Sequence, residues 1–287
     1  MGFRIAVVTD AVSPDFIFPI WHRYYGSLFG ESNLFVVTYK WIGPSFKEFG
    51  LGGLIELPVG YNDNNRRAVI SQLVSTLLPC YDSVIRVDAD EFLVVDPRVA
   101  PSLDVFIKSM KAPYLTARGF DVLQMPDEPP VSANASGSIL KDRAFAYPNT
   151  ALNKTCVVTI PVDWSEGFHW ASVPPKFGPL FMLHMKRLDI GWQLAWCRQM
   201  TESLQNNNQA EAGLHQYYSP DEQRVLDYHK GAANRPFVAG IDSWYRDTLI
   251  AKFLEGIALV SSTGLYHGEY GHEQVLCEIP PEWRSII

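Results

Sequence analysis

Val84-Ile85-Arg86-Val87-Asp88-Ala89-Asp90-Glu91-Phe92-Leu93 begins as the apolar run of a central sheet strand and then breaks into three carboxylates within four residues. Burying carboxylates costs several kcal/mol unless each is paired, hydrogen-bonded or bound to a metal. Side chains alternate along a strand, so Arg86, Asp88 and Asp90 are expected on one face while the strand lasts. The two aspartates can then meet one cation, with Arg86 balancing charge behind them. Ligands of open α/β sheets bind beyond the carboxyl ends of the strands, where this cluster falls. Carboxylates and water suit the hard cations Mg2+ and Mn2+. The plain alternative is a strand that ends in a solvated acidic turn.

The surrounding chain agrees with an α/β reading. Its 287 residues suffice for one large α/β domain or two smaller ones, and 47% hydrophobic with 13% aromatic content argues against disorder. A net charge of -7 leaves no electrostatic footprint for nucleic acid or an anionic membrane. An acidic protein that takes a phosphate-bearing substrate needs a bridging cation. Cys80, Cys156, Cys197 and Cys277 are scattered without a C-x-x-C pair and read as thiols in a reducing compartment. The first strand starts at Phe3, which leaves no room for a signal peptide, and no apolar run reaches about 18 residues. A cytoplasmic protein without a transmembrane segment is expected.

Phe3 to Val8 reads as the first strand, ended by Thr9-Asp10, and Ser13-Pro14 as the cap of a helix in which Pro19 is either a kink or the true start. Strands follow at Leu34 to Tyr39 and Leu54 to Val59; Gly50-Leu51-Gly52-Gly53 between them lacks the ending of a P-loop and reads as a loop. Asn64 to Leu78 is the clearest helix, with Arg66 and Arg67 in its first turn, facing either a diphosphate or solvent. The alternation over the first ~90 residues predicts a mostly parallel, doubly wound sheet. A helix near Leu103 to Met110 and a strand near Tyr114 to Ala117 precede a loop from Gln124 to Asp142. Strands at Lys154 to Ile160 and Leu180 to Met185 come next, and Asp189 caps a helix that holds Trp192, Trp196 and Met200. Ser219-Pro220-Asp221-Glu222 starts a further helix, and an amphipathic one spans Asp242 to Ile257, its apolar face suited to packing on the domain or to peripheral membrane contact. His267, Glu269, His272 and Glu273 imitate a zinc site but read better as surface residues.

His184 ends an apolar strand and can reach the same sheet edge as Asp90. A neutral imidazole is a common further ligand to Mn2+, so Asp88, Asp90 and His184 form the candidate metal set, unless His184 merely caps the helix near Asp189. Lys186 and Arg187 follow closely enough to add charge against phosphates.

Tyr81-Asp82-Ser83-Val84-Ile85-Arg86-Val87-Asp88-Ala89-Asp90-Glu91-Phe92 resembles the nucleotide-sugar-binding strand and D-x-D motif of GT-A glycosyltransferases, most of all the family 2-like enzymes with their family 92-type branch, whose motif runs D-x-D-E-F. Asn153-Lys154-Thr155, Gly167-Phe168-His169 and Leu183-His184-Met185 resemble later segments of the same group in the same order, so the likeness covers residues 3 to 200. Thr9-Asp10-Ala11-Val12-Ser13 departs from it, standing where those relatives often carry Asn-Glu. The resemblance implies a GT-A type doubly wound mixed sheet with flanking helices over residues 1–200 and a C-terminal helical extension over 201–287. It implies inverting transfer of a hexosyl or deoxyhexosyl unit from a nucleotide diphosphate sugar, foremost a UDP-sugar, to a hydroxyl of a glycan or lipid-linked glycan. Asp10, Arg66, Asp88, Ala89, Asp90 and Lys186 would contact the donor, with Mn2+ or Mg2+ as cofactor. Inversion requires a base on the acceptor side; Glu166 and Asp163 are the candidates, with Glu91 third. The rivals are a sugar nucleotidyltransferase, a hydrolase that releases free sugar, and a non-catalytic nucleotide-sugar-binding protein of the same fold. The first should carry a Gly-rich, basic loop after the first strand, and Thr9 to Asp15 has none.

Overall fold

A computed structural model describes residues 2–39, 45–59, 62–131, 138–206, 222–238, 249–271 and 275–287. Strand β1 (Ile5–Asp10) is buried along its whole length, as expected of a strand covered on both faces. Helix α1 (Ile17–Phe29) leads to β2 (Leu34–Thr38) and then β3 (Gly53–Glu56), while α2 (Asp63–Leu77) carries the chain back to β4 (Ser83–Arg86). These four strands are parallel, in the order β3-β2-β1-β4. The two helices cover opposite faces. Phe18 and Trp21 of α1 pack with Ile5, Val7 and Ile85; Ile70 and Val74 of α2 pack with Ala6, Val8 and Val84. The strand order reverses beside β1, which opens a crevice at the carboxyl ends of β1 and β4.

The chain turns at Ala89 and Asp90 into β5 (Glu91–Val95), and α3 (Leu103–Ser109) precedes β6 (Tyr114–Leu123). The sheet continues as β7 (Phe145–Pro148), β8 (Thr155–Val158) and β9 (Phe177–His184), so that β4 meets β8, β8 meets β6, and β6 meets both β7 and β9. The β4–β8 and β6–β8 pairs are antiparallel, so the parallel arrangement expected and found over the first ~90 residues continues into the expected mixed sheet, which has 11 strands among the described residues. Helix α4 (Ile190–Asn206) follows β9, and α5 (Glu222–Ala233) precedes β10 (Phe237–Val238). Helix α6 (Ile250–Glu255) leads to a separate hairpin of β11 (Ala258–Val260) and β12 (Leu265–His267). Strand β13 (Leu276–Glu278) pairs with β7 and with β10. The expected helical extension beyond residue 200 is therefore mixed, with β10 and β13 extending the main sheet.

One boundary moved, and one loop gained a packing role, for identifiable reasons. Ser13 does not cap α1; its hydroxyl donates to Asp15 at 2.7 Å, and the helix begins later, placing Pro19 in the first turn, where a missing N–H costs nothing. Gly52 donates its N–H to Leu34 at 2.9 Å, and a Cβ there would meet the Ser32 carbonyl oxygen at 2.1 Å. That glycine run serves close packing. Among the described residues, no helix is long and apolar enough to cross a membrane. The expected cap at Ser219 to Asp221 lies outside the described residues, as do residues 242–248 of the expected Asp242 to Ile257 helix and residues His272 and Glu273.

Candidate functional site

Strand β4 ends at Arg86, so the D-x-D segment rides in the turn between β4 and β5, and Asp88 and Asp90 do not continue one strand face. The Glu91 N–H closes the turn on the Asp88 carbonyl at 3.0 Å. Asp10, the last residue of β1, stands on the other side of the crevice. Arg66, from the first turn of α2, joins the two sides: its Nε donates to Asp10 at 2.7 Å and its Nη2 to Asp88. Arg66 is buried and does not face solvent. Asn62 caps this helix by accepting from the Asn65 N–H at 3.1 Å.

Asp88 is enclosed by cations. One oxygen accepts from both Arg66 and Arg86, and the other from the Lys154 ammonium at 2.8 Å. Burial alone would push its carboxyl up, but these three groups hold it well below the usual carboxylate range. Lys154 also donates to Glu91 at 2.6 Å, and the other Glu91 oxygen accepts the Asp88 N–H at 2.8 Å. Although burial favours a neutral amine, these two carboxylates raise the Lys154 pKa. Glu91 is 0% exposed and fully engaged, which removes it as an acceptor-side base.

Phe168 lies beneath the two guanidiniums, with its ring centre 3.2 Å from Arg86 Cζ and 4.5 Å from Arg66 Cζ. Its φ of 58° follows a Gly167 φ of 64°, so two successive residues are left-handed. The turn is braced by His169, whose Nδ1 donates to the Ala151 carbonyl at 2.6 Å. Burial and the nearby Lys154 push the His169 ring down to about 3.

Asp90 has different company. His184 Nε2 lies 3.2 Å from its Oδ2, and His184 Nδ1 lies 2.5 Å from Asp121 Oδ1. Sheet register builds this chain of contacts, since His184 of β9 is paired with Glu91 of β5 on one side and with Asp121 of β6 on the other. Burial favours a neutral ring, yet the Asp90 and Asp121 carboxylates raise the imidazole pKa to about 10. Asp121 is in turn held by Asn149 Nδ2 at 2.8 Å. A carboxylate that orients the far nitrogen of a histidine is the usual support for a metal-ligating imidazole. Asp90 and His184 thus have the donor chemistry of a half-built cation site. Asp88 can add an oxygen only by giving up a cationic partner. Among the described residues, no group of three or more ligating side chains is gathered. Asp189, not His184, caps α4, accepting the Trp192 N–H at 2.8 Å.

The remaining candidates are spread around this centre. Lys186 lies 5.0 Å from the Trp196 ring centre, and burial together with Arg187 lowers its pKa. Ala89 packs partly buried against the core. Glu166 and Asp163 are exposed; Glu166 heads the turn that carries Phe168, and the Asp163 backbone is tied to Ser172. Lys154 and Phe168 stand within segments that carry the family resemblance, without a role assigned to either, and Asp121 was not singled out from the sequence. The signal for Asp121 was present, because a carboxylate within Phe120-Asp121-Val122-Leu123 interrupts an apolar run just as Asp88 does. Compared with known proteins, the chain matches no family model and no curated protein.

Proposed function

We propose that this chain is a metal-dependent glycosyltransferase that moves a sugar from a nucleotide diphosphate sugar, foremost a UDP-sugar, to a hydroxyl acceptor. The observation that carries the reading is the placement of Asp10, Arg66 and Asp88 across the carboxyl ends of β1 and β4, beside the Asp90–His184 pair. This crevice is where doubly wound sheets take nucleotides, and the Asp90–His184 carboxylate–imidazole pair lies beside it. Asp90 and His184 would hold Mn2+ or Mg2+, with Asp121 fixing the ring. The cation would neutralise charge that grows on the departing diphosphate.

Asp88 has the separate task of holding Arg66, Arg86 and Lys154 in place, so that the wall of the crevice beside the cation site is pre-organised. In an inverting displacement the acceptor oxygen bonds to the anomeric carbon as the bond to the diphosphate oxygen breaks. A carboxylate takes the hydroxyl proton. Glu166 and Asp163 are exposed to an incoming acceptor and are the residues proposed for that step.

The reading is tested by incubating the protein with nucleotide sugars, Mn2+ and a panel of glycan acceptors, and resolving the products. A glycosylated acceptor with release of nucleoside diphosphate is the expected result. Free sugar alone would indicate a hydrolase, pyrophosphate formed from a sugar phosphate and a nucleoside triphosphate a nucleotidyltransferase, and binding without turnover a non-catalytic protein.

A further inference from the structure

A second group of cations lies farther along the same sheet and is not matched by carboxylates. Arg187 donates from Nε to the Tyr147 hydroxyl at 2.8 Å, and its Cζ lies 3.4 Å from the Tyr228 ring centre. Arg235, just beyond α5, lies 4.5 Å from the Tyr147 ring centre and 5.9 Å from that of Tyr228. Two guanidiniums therefore share one pair of tyrosines. Among the described residues, neither is within ion-pair distance of a carboxylate. Arg187 does feel Asp121, but the Asp121 oxygens are committed to His184 and Asn149.

The hydrogen-bonding inventory is equally one-sided. Tyr228 and Tyr147 bond through their hydroxyls, which uses one of their two protons, and the Tyr147 oxygen already accepts from Arg187. Among the described residues, one hydroxyl proton of the pair has no acceptor, although Tyr147 is only 1% exposed. Among the same residues, buried Arg235 Nη1 has no hydrogen-bond partner as well. Buried donors in excess of acceptors are unfavourable, and an oxyanion is the ligand that relieves them. General basicity does not explain the cluster, because the chain carries 31 acidic against 24 basic side chains.

Its location is informative. Tyr147 is paired with Asp121 across β7 and β6, and Asp121 with His184 across β6 and β9. Two strand spacings place the cluster about 10 Å from the candidate cation site, along one row of the sheet. Arg235 and Tyr228 come from the segment after residue 200, so that segment completes a site begun by the strands.

We propose that Arg187 and Arg235, with the hydroxyls of Tyr147 and Tyr228, form an oxyanion site that binds the carboxylate or phosphate monoester of an acidic sugar. Assigning that sugar to the second substrate rests on the glycosyl-transfer reading; the anion site itself does not. Guanidinium forks suit carboxylate and phosphate alike, so the shared chemistry is a compact oxyanion on a sugar ring.

The test is calorimetric titration of the full chain with glucose 6-phosphate, glucuronate and glucose, all in chelator. Removing metal keeps the outcome independent of metal-dependent donor binding, so either reading can fail alone. At least one acidic sugar is expected to bind, glucose is not, and Arg235→Gln and Arg187→Gln should each weaken the acid at least tenfold. The tighter of the two acids identifies the group. Arg235→Lys, which keeps the charge and loses the fork, provides a second reading if the glutamine variant folds poorly, and should weaken binding at least threefold. Equal behaviour of glucose and both acids, or acid binding unchanged in Arg235→Gln and Arg235→Lys, would overturn the proposal.

Discussion

Asp88 and Asp90 are separated by one alanine, yet they occupy different electrostatic surroundings. Asp88 meets two guanidiniums and an ammonium, and both of its oxygens are taken. Asp90 meets one imidazole at 3.2 Å, itself pinned from behind by Asp121. The first arrangement is a closed ion cluster held by α2, β4 and the residue before β8. The second is a pair whose proton could be exchanged for a metal ion. Two carboxylates that look equivalent in sequence thus divide the labour, with Asp88 organising the protein's own cations and Asp90 left to meet an external one.

Mutations on the closed side should cost most. Lys154→Met deprives one oxygen of Asp88 and one of the fully buried Glu91 of their ammonium, and breaking such a buried cluster typically costs about 3–5 kcal/mol. Urea unfolding should show that loss; a change under about 1 kcal/mol would erase the distinction between the two sides.

His184→Asn should be milder, about 1–3 kcal/mol in chelator, and should depend on pH. The folded-state pKa of His184 is raised to about 10, above its ordinary 6.5. Its contribution is therefore complete below about pH 6.5 and is lost as pH rises towards 10. Wild type and variant should converge in stability over that interval. A gap that stays constant with pH would show that His184 is not held as a cation by Asp90 and Asp121.

Gly167→Ala probes the left-handed turn beneath the arginines. With φ at 64° and a new Cβ 2.6 Å from His169 Nε2, it should cost about 1–2 kcal/mol in the same unfolding measurement. Glu166→Gln and Asp163→Asn should change stability least, within about 0.5 kcal/mol, because both side chains are exposed. Turnover should fall sharply in one of them, and near-normal turnover in both would place the base elsewhere.

The parts legible in the sequence were those in which one signal dominated. Carboxylates that interrupt an apolar strand marked Asp88 and Asp90, and periodic apolar residues marked α2. Ser13-Pro14 misled because the serine satisfies itself on Asp15, leaving α1 to start without a side-chain cap. Strands β10 and β13, of two and three residues, are too short for any periodicity; only pairing with β7 and with each other defines them. The roles of Lys154, Asp121 and Phe168 depend on register and on a turn that folds back from β8, and neither can be read locally.

The division between the two aspartates is tested most directly by calorimetry of nucleoside diphosphates with Mn2+ and with chelator, using wild type and Asp90→Asn. Binding of one nucleoside diphosphate that requires Mn2+, and that weakens at least tenfold when Asp90 loses its charge, is the expected result. Binding that is equal in chelator and unchanged in Asp90→Asn would contradict the account.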